Sequence, residues 1–217
     1  MDLSSFTPSS ALLTVVLLAL APFVAVMLTS FTKIVVVLSL LRNALGVQQV
    51  PPNLVLNGLA MILTIYVMYP VGSDVTDIVV ESGIDIESSE DLIELVDVAK
   101  EPVREFLVRH SDELERSFFD ATIDLMADGR ESRRAAPEDF VVLVPAFTVS
   151  ELTEAFQIGF LIYLPFIVID LVVSNILMAL GMVMLSPTLV SLPFKLLLFV
   201  AVEGWAKLAH GLVLSYV

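Results

Sequence analysis

Cysteine is absent from this 217-residue chain, which excludes disulfide frameworks, zinc ribbons and thiol catalysis together. The absence is neutral about compartment, since an extracytoplasmic protein can fold without disulfides. Basic residues are scarce, 11 Lys and Arg against 25 Asp and Glu. No stripe of them exists to neutralise phosphates, so nucleic-acid binding is excluded. The two histidines, His110 and His210, stand apart from any plausible ligand set, and no metal site is read from them. There is no phosphate-cradling glycine loop, no internal repeat and no low-complexity tract. Ser30-Phe-Thr-Lys33 fits a Ser-x-x-Lys pattern, but inside an apolar helix and without a companion motif. The chain is therefore not read as an enzyme, and no cofactor is expected.

Apolar surface is what the chain has in excess: 57% of its residues are hydrophobic, against about 45–50% in soluble domains even with glycine included. Charge is segregated. Residues 74–139 hold 20 acids and 7 bases, while the other 151 residues hold 5 acids and 4 bases. The composition divides the chain into an N-terminal hydrophobic hairpin over 1–73, an acidic helical insert over 74–139 and a C-terminal hydrophobic hairpin over 140–217.

From Ala11 to Leu41 Lys33 is the only charge, and a helix of that length reaches about 46 Å, beyond the roughly 30 Å hydrocarbon core. Pro22 is the expected kink. A cleaved leader would want a basic start where Asp2 stands, so the segment is read as retained. Pro51-Pro52 ends this helix, and Leu54 to Val71, eighteen uncharged residues closing at Pro70 and Gly72, is just long enough to span. In the insert, Leu92, Val96, Ala99, Val103 and Phe106 line one helix face and Leu114, Phe118, Ala121 and Leu125 another. Pro102 is expected to kink or restart the first, and 127–139 reads as a loop.

Thr148-Val-Ser-Glu151 matches a capping box, in which hydroxyl and carboxylate satisfy each other's orphan backbone N–H groups, so a helix is expected to start there. From Gly159 to Leu185 the one charge is Asp170. Sixteen Leu, Ile, Val and Phe contribute roughly −0.3 to −0.6 kcal/mol each, against about 2.5–3.5 kcal/mol for the central carboxylate, so the segment still inserts. Asp170 must then find a partner, and Lys195, the first cation of the neighbouring apolar stretch, is expected to pair with it. Pro187 and Pro193 should bracket a turn before a last helix over Leu192–Leu214, on which Glu203 and Lys207 are spaced for an i, i+4 ion pair. Met178, Met182 and Met184 close the Asp170 segment; on the residues alone they read as core packing or as an adaptable ring around a conduit. Arg42 and Lys195 beside short turns mark one side as cytoplasmic, leaving the acidic insert outside.

Several strings resemble one family. Thr29-Ser-Phe-Thr-Lys33, Leu40-Leu-Arg-Asn-Ala-Leu-Gly46 and Pro51-Pro-Asn53 are similar to the first hairpin of the SctR/FliP family of type III secretion export-apparatus membrane proteins. Pro145-Ala-Phe-Thr-Val-Ser-Glu-Leu-Thr-Glu-Ala-Phe-Gln-Ile-Gly-Phe160, Phe166-Ile-Val-Ile-Asp170, Leu192-Pro-Phe-Lys-Leu-Leu-Leu-Phe199 and Glu203-Gly-Trp205 agree more strongly. Gly46-Val-Gln-Gln-Val-Pro-Pro52 is closer to the injectisome branch than to the flagellar one. The resemblance implies an all-α fold of kinked helical hairpins, assembled as a funnel of several copies, five in the family, with two other small export-apparatus proteins. It implies an inner-membrane export gate for unfolded secreted proteins, with residues 74–139 periplasmic. The family's methionine gasket maps onto Gly181-Met-Val-Met184, where valine takes the middle position and leaves Met182 and Met184 as the constriction. Asp170 and Lys195 fall on charged positions of the family pattern. The alternatives are a flagellar-type gate subunit and a secondary transporter using Asp170, which would want paired broken helices in two related halves.

Overall fold

The computed structural model describes residues 15–16, 19–20, 22–23, 26–47, 49–82, 89–126 and 138–217, with backbone alone at 82, 89–96, 98 and 124. Among these residues there is no strand. Among the described residues eight helices are delimited: α1 (Phe31–Leu45), α2 (Asn53–Val67), α3 (Tyr69–Ser82), α4 (Ser89–His110), α5 (Glu113–Met126), α6 (Phe140–Ala179), α7 (Pro187–Ala201) and α8 (Gly204–Leu214). The kink expected at Pro22 turns on neighbours outside the described residues, as does most of the loop expected over 127–139.

The chain gathers into two compact units, each built from two stretches: 1–32 with 66–151, and 33–65 with 152–217. These follow the pairing of helices rather than the compositional boundaries at 73 and 139. In the first, acidic unit, α3 packs along α4. Phe106 and Leu107 of α4 and Val142, Leu143, Ala146 and Phe147 of α6 are buried, with the Phe106 and Phe147 rings 5.6 Å apart. The turn between α4 and α5 is held by the Asp112 backbone N–H, which donates to Ser150 Oγ at 2.8 Å. The core of the second, apolar unit is Leu41, Ala44 and Leu45 of α1 with Phe166 of α6 and Phe199 of α7.

Four element boundaries depart from the sequence reading. The helix expected to begin at the Thr148/Glu151 capping box begins eight residues earlier, at Phe140, where Asp139 O accepts from Val142 N and Leu143 N at 2.9 Å each. Because Val142, Leu143, Ala146 and Phe147 form a buried helical face, packing extends the helix past the box. Thr148 Oγ1 then donates back to Val144 O at 2.8 Å, an interior bond and not a cap, and Glu151 is fully buried. Helix α4 passes through Pro102 without restarting.

The segment expected to end at Pro70 instead breaks at Met68, bends by 53° and continues as α3; Pro70 is its second residue, where no intrahelical N–H is needed. Pro187 opens α7, and Pro193 lies within that helix instead of closing a turn. The expected single helix over Leu192–Leu214 is broken by 60° at Val202–Glu203. Glu203 adopts φ 55°, ψ 44°, which takes its side chain off the α8 surface, and no Glu203–Lys207 ion pair forms among the described residues.

Among the described residues one helix, the 40-residue α6, is long and apolar enough to cross a membrane, and up to three spans result if each bent pair counts as one. At 1.5 Å per residue α6 measures about 60 Å, roughly twice a hydrocarbon core.

Candidate functional site

The charged centre of the apolar unit is built by three helices. Lys195 and Ser191 stand one turn apart on α7 and so face the same way. Both reach Asp170 on α6: Lys195 Nζ donates to Asp170 Oδ2 at 2.6 Å and Ser191 Oγ to Asp170 Oδ1 at 2.5 Å. The amine donates a second bond, 3.2 Å, to Ala44 O in the last turn of α1, where carbonyls have no intrahelical donor and a cation is favoured. Gly46 makes this approach possible. It ends α1 at φ 74°, its N–H donating to Asn43 O at 3.1 Å, a left-handed cap that glycine adopts without steric cost. Ser191 is fully buried and Lys195 nearly so, whereas the Asp170 side chain keeps 32% of its surface exposed. Both carboxylate oxygens are thus held, as a charge in an apolar setting requires.

A second buried cation lies at the start of α1. Lys33 is 1% exposed and its Nζ is 2.6 Å from Glu154 Oε2 on α6; it also lies 4.1 Å from the centroid of the Tyr216 ring. One ion pair and one cation–π contact tie the beginning of α1, the middle of α6 and the chain's last turn together. Ser30 is fully buried and Lys33 is engaged by Glu154 and Tyr216, so the Ser-x-x-Lys match presents no open nucleophile. Among the described residues no group of three His, Cys, Asp or Glu is arranged to hold a metal ion.

The methionines Met182 and Met184 belong to the turn between α6 and α7, not to the helix. Gly181, at φ 72°, terminates α6 in a Schellman motif: Gly181 N donates to Met178 O at 3.0 Å and Met182 N to Leu177 O at 2.9 Å. With the helix stopped there, residues 180–186 project as an apolar loop. Met184 is 98% exposed and Met182 47%, so the loop is not core.

The structure therefore brings Asp170 and Lys195 together, leaves Met182 and Met184 open on one loop, and removes Thr148 and Glu151 from any capping role. Sequence reasoning missed Ser191, the Ala44 carbonyl and the Lys33–Glu154 pair. The signal for the last was present, since a lone lysine in an apolar run needs a counter-charge.

A model described as the FliP family matches residues 12–212 of the chain. The chain is 53% identical over 200 residues to the Yop proteins translocation protein R of Yersinia pestis, covering 92% of each. It is 50% identical over 213 residues to the hypersensitivity response secretion protein HrcR of Ralstonia nicotianae, covering 96% of this chain and 97% of that one. To the flagellar biosynthetic protein FliP of Pectobacterium carotovorum subsp. carotovorum it is 45% identical over 200 residues, covering 92% of this chain but 75% of that one.

Proposed function

The chain belongs to the FliP family, and from that premise we propose that it is a core subunit of the type III secretion export gate in the bacterial inner membrane, of the injectisome branch. The observation that carries this is near end-to-end identity of about half with translocation and secretion proteins; the flagellar relative matches over a smaller share of its own length. Several copies, five by family resemblance, assemble with two other small export-apparatus membrane proteins around a conduit for unfolded secreted chains. Residues 74–139 lie on the periplasmic side, a reading supported by the positive charge of Arg42 and Lys195 beside the short turns.

The loop over 180–186 supplies the constriction. Thioethers are unbranched, and several copies of Met182 and Met184 converging on an axis can close on themselves and still yield to side chains of any shape. The Asp170–Lys195 pair fixes α6 against α7 and so sets where that loop projects. A transporter also uses bent helix pairs, and α2–α3 and α7–α8 are bent. Asp170, however, lies on the unbroken α6, with Lys195 and Ser191 on its oxygens, which suits a structural pair better than a coupling-ion site.

The deciding experiment is replacement of Met182 and Met184 together by Ala in the assembled complex. Leakage of small ions through reconstituted complexes is expected to rise with assembly intact. An unchanged leak removes the constriction assignment. Disulfide capture of an arrested substrate by Met182→Cys separates a pore-lining subunit from a scaffold around a pore made by other chains.

A further inference from the structure

The apolar unit carries a trough of about 660 Å³ that the export-gate reading leaves unused. Its floor is Leu41 of α1, Phe166 of α6, Phe199 of α7 and Leu212 of α8, all buried. Gly204 and Gly211 keep the α8 wall low; a Cβ added at Gly211 meets nothing within 4 Å. Lys207 is the one charged residue on the lining.

Charge singles out that lysine. Residues 33–65 and 152–217 hold four bases (Lys33, Arg42, Lys195, Lys207) and three acids (Glu154, Asp170, Glu203), a net of +1; the rest of the chain holds 7 bases and 22 acids, a net of −15. An anion is therefore drawn to the apolar unit and not to the acidic one. Within the apolar unit Lys33 pairs with Glu154, Lys195 with Asp170, and Arg42 donates to Asn53. The Lys207 amine has no ion-pair or hydrogen-bond partner among the described residues. A flexible cation over an apolar trough matches a molecule with an anionic head and a hydrocarbon body.

We propose that the trough holds an acyl chain of an anionic phospholipid whose headgroup phosphate sits on the Lys207 amine. The proposal rests on the membrane location argued above. The trough is open along one side, and its apolar floor suits an extended acyl chain. A phospholipid supplies chain and phosphate in one molecule, matching the apolar floor and the Lys207 amine together.

Native mass spectrometry of the full chain in maltoside micelles, titrated with phosphatidylglycerol or phosphatidylcholine, tests this. The wild type is expected to retain phosphatidylglycerol in preference. Lys207→Gln should weaken that binding about fivefold and abolish the preference. Gly211→Leu should fill the trough and remove adducts of both lipids with an unchanged circular dichroism spectrum; if it fails to fold, Lys207→Gln still decides. Wild-type phosphatidylglycerol binding in Lys207→Gln, absence of any adduct in the wild type, or efficient disulfide capture of another subunit by Leu208→Cys in the complex overturns the site. The oligomeric mass of the same preparation reports separately on the gate: assembly without lipid sinks the lipid site alone, and a lipid-bound monomer sinks the gate alone.

Discussion

Asp170 is one carboxylate with two donors on a single face of α7, and the value of that arrangement depends on its completeness. Removing one partner of a fully buried pair costs about 3–5 kcal/mol, because the other charge is left without compensation. Asp170 is about one-third exposed, so Lys195→Met is expected to cost less, about 2–3 kcal/mol, read as a lower thermal midpoint in detergent. Replacing both by apolar residues, Asp170→Leu with Lys195→Met, should recover most of the loss. If single and double variants melt together, the two residues are not coupled. Lys33 differs, because one of its partners is an aromatic face. Tyr216→Ala should destabilise the apolar unit by about 0.5–2 kcal/mol through loss of the cation–π contact; a loss no larger than that of Val217→Ala would discount the contact.

At the scale of elements, the close approach of α1 and α6 is set by a missing side chain. A Cβ at Gly159 would lie 2.2 Å from Leu40 Cδ1 and 3.1 Å from Leu40 Cβ. The leucine's outer carbons make the severe contact, and the one to Cβ is relieved by a shift of a few tenths of an ångström. Gly159→Val is therefore expected to lose about 1–3 kcal/mol by overpacking, with substantial rescue by Leu40→Ala; equal melting of Gly159→Val with and without Leu40→Ala would show that the two helices do not meet there.

The α7–α8 break rests on Glu203 in the left-handed region, a conformation costing roughly 1–2 kcal/mol for a residue with a Cβ. It persists because Gly204 lets the chain press on the Phe199 ring, within 2.1 Å of where a Cβ would be, and Trp205 meets the same ring edge-on at 5.4 Å. Glu203→Gly should raise the melting midpoint and Glu203→Val lower it, whereas the opposite order would indicate one straight helix. None of these boundaries follows from prolines or capping patterns alone. Packing overrides the capping box at Thr148; prolines at a helix start, such as Pro70 and Pro187, need no intrahelical N–H, and Pro102 and Pro193 lie within continuous helices.

For the whole molecule the decisive quantity is apolar surface that the single chain leaves open. Ile62, Ile65, Phe160, Leu161, Leu197 and Val200 are each more than three-fifths exposed, and Leu114, Phe118 and Leu125 leave the apolar stripe of α5 open as well. A soluble monomer rarely exposes such contiguous faces; lipid or other subunits must cover them. Ile62→Asp is expected to leave the helical signal in detergent intact and to prevent assembly into the large complex, since an unpaired carboxylate in an apolar contact costs about 2.5–3.5 kcal/mol even on the permissive insertion scale. Normal assembly of this variant, measured by mass in detergent, would mean that this face of α2 stays outside every contact.

The sequence by itself determined the helical class, the division between apolar and acidic segments, the family, and the two residues of the central ion pair, because each is written in composition, in 3.6-residue periodicity or in the scarcity of charge. Asp170 is the one charge from Gly159 to Leu185 and Lys195 is the first charge beyond it, which makes the partner legible. Only the tertiary structure decided where helices start and bend, that Ser191 and the Ala44 carbonyl complete the Asp170–Lys195 centre, that Lys33 is answered by Glu154 and Tyr216, and that Gly181 releases Met182 and Met184 into a loop. Those outcomes depend on contacts between residues far apart in the chain, and local spacing carries no information about which distant side chain will be there to make them.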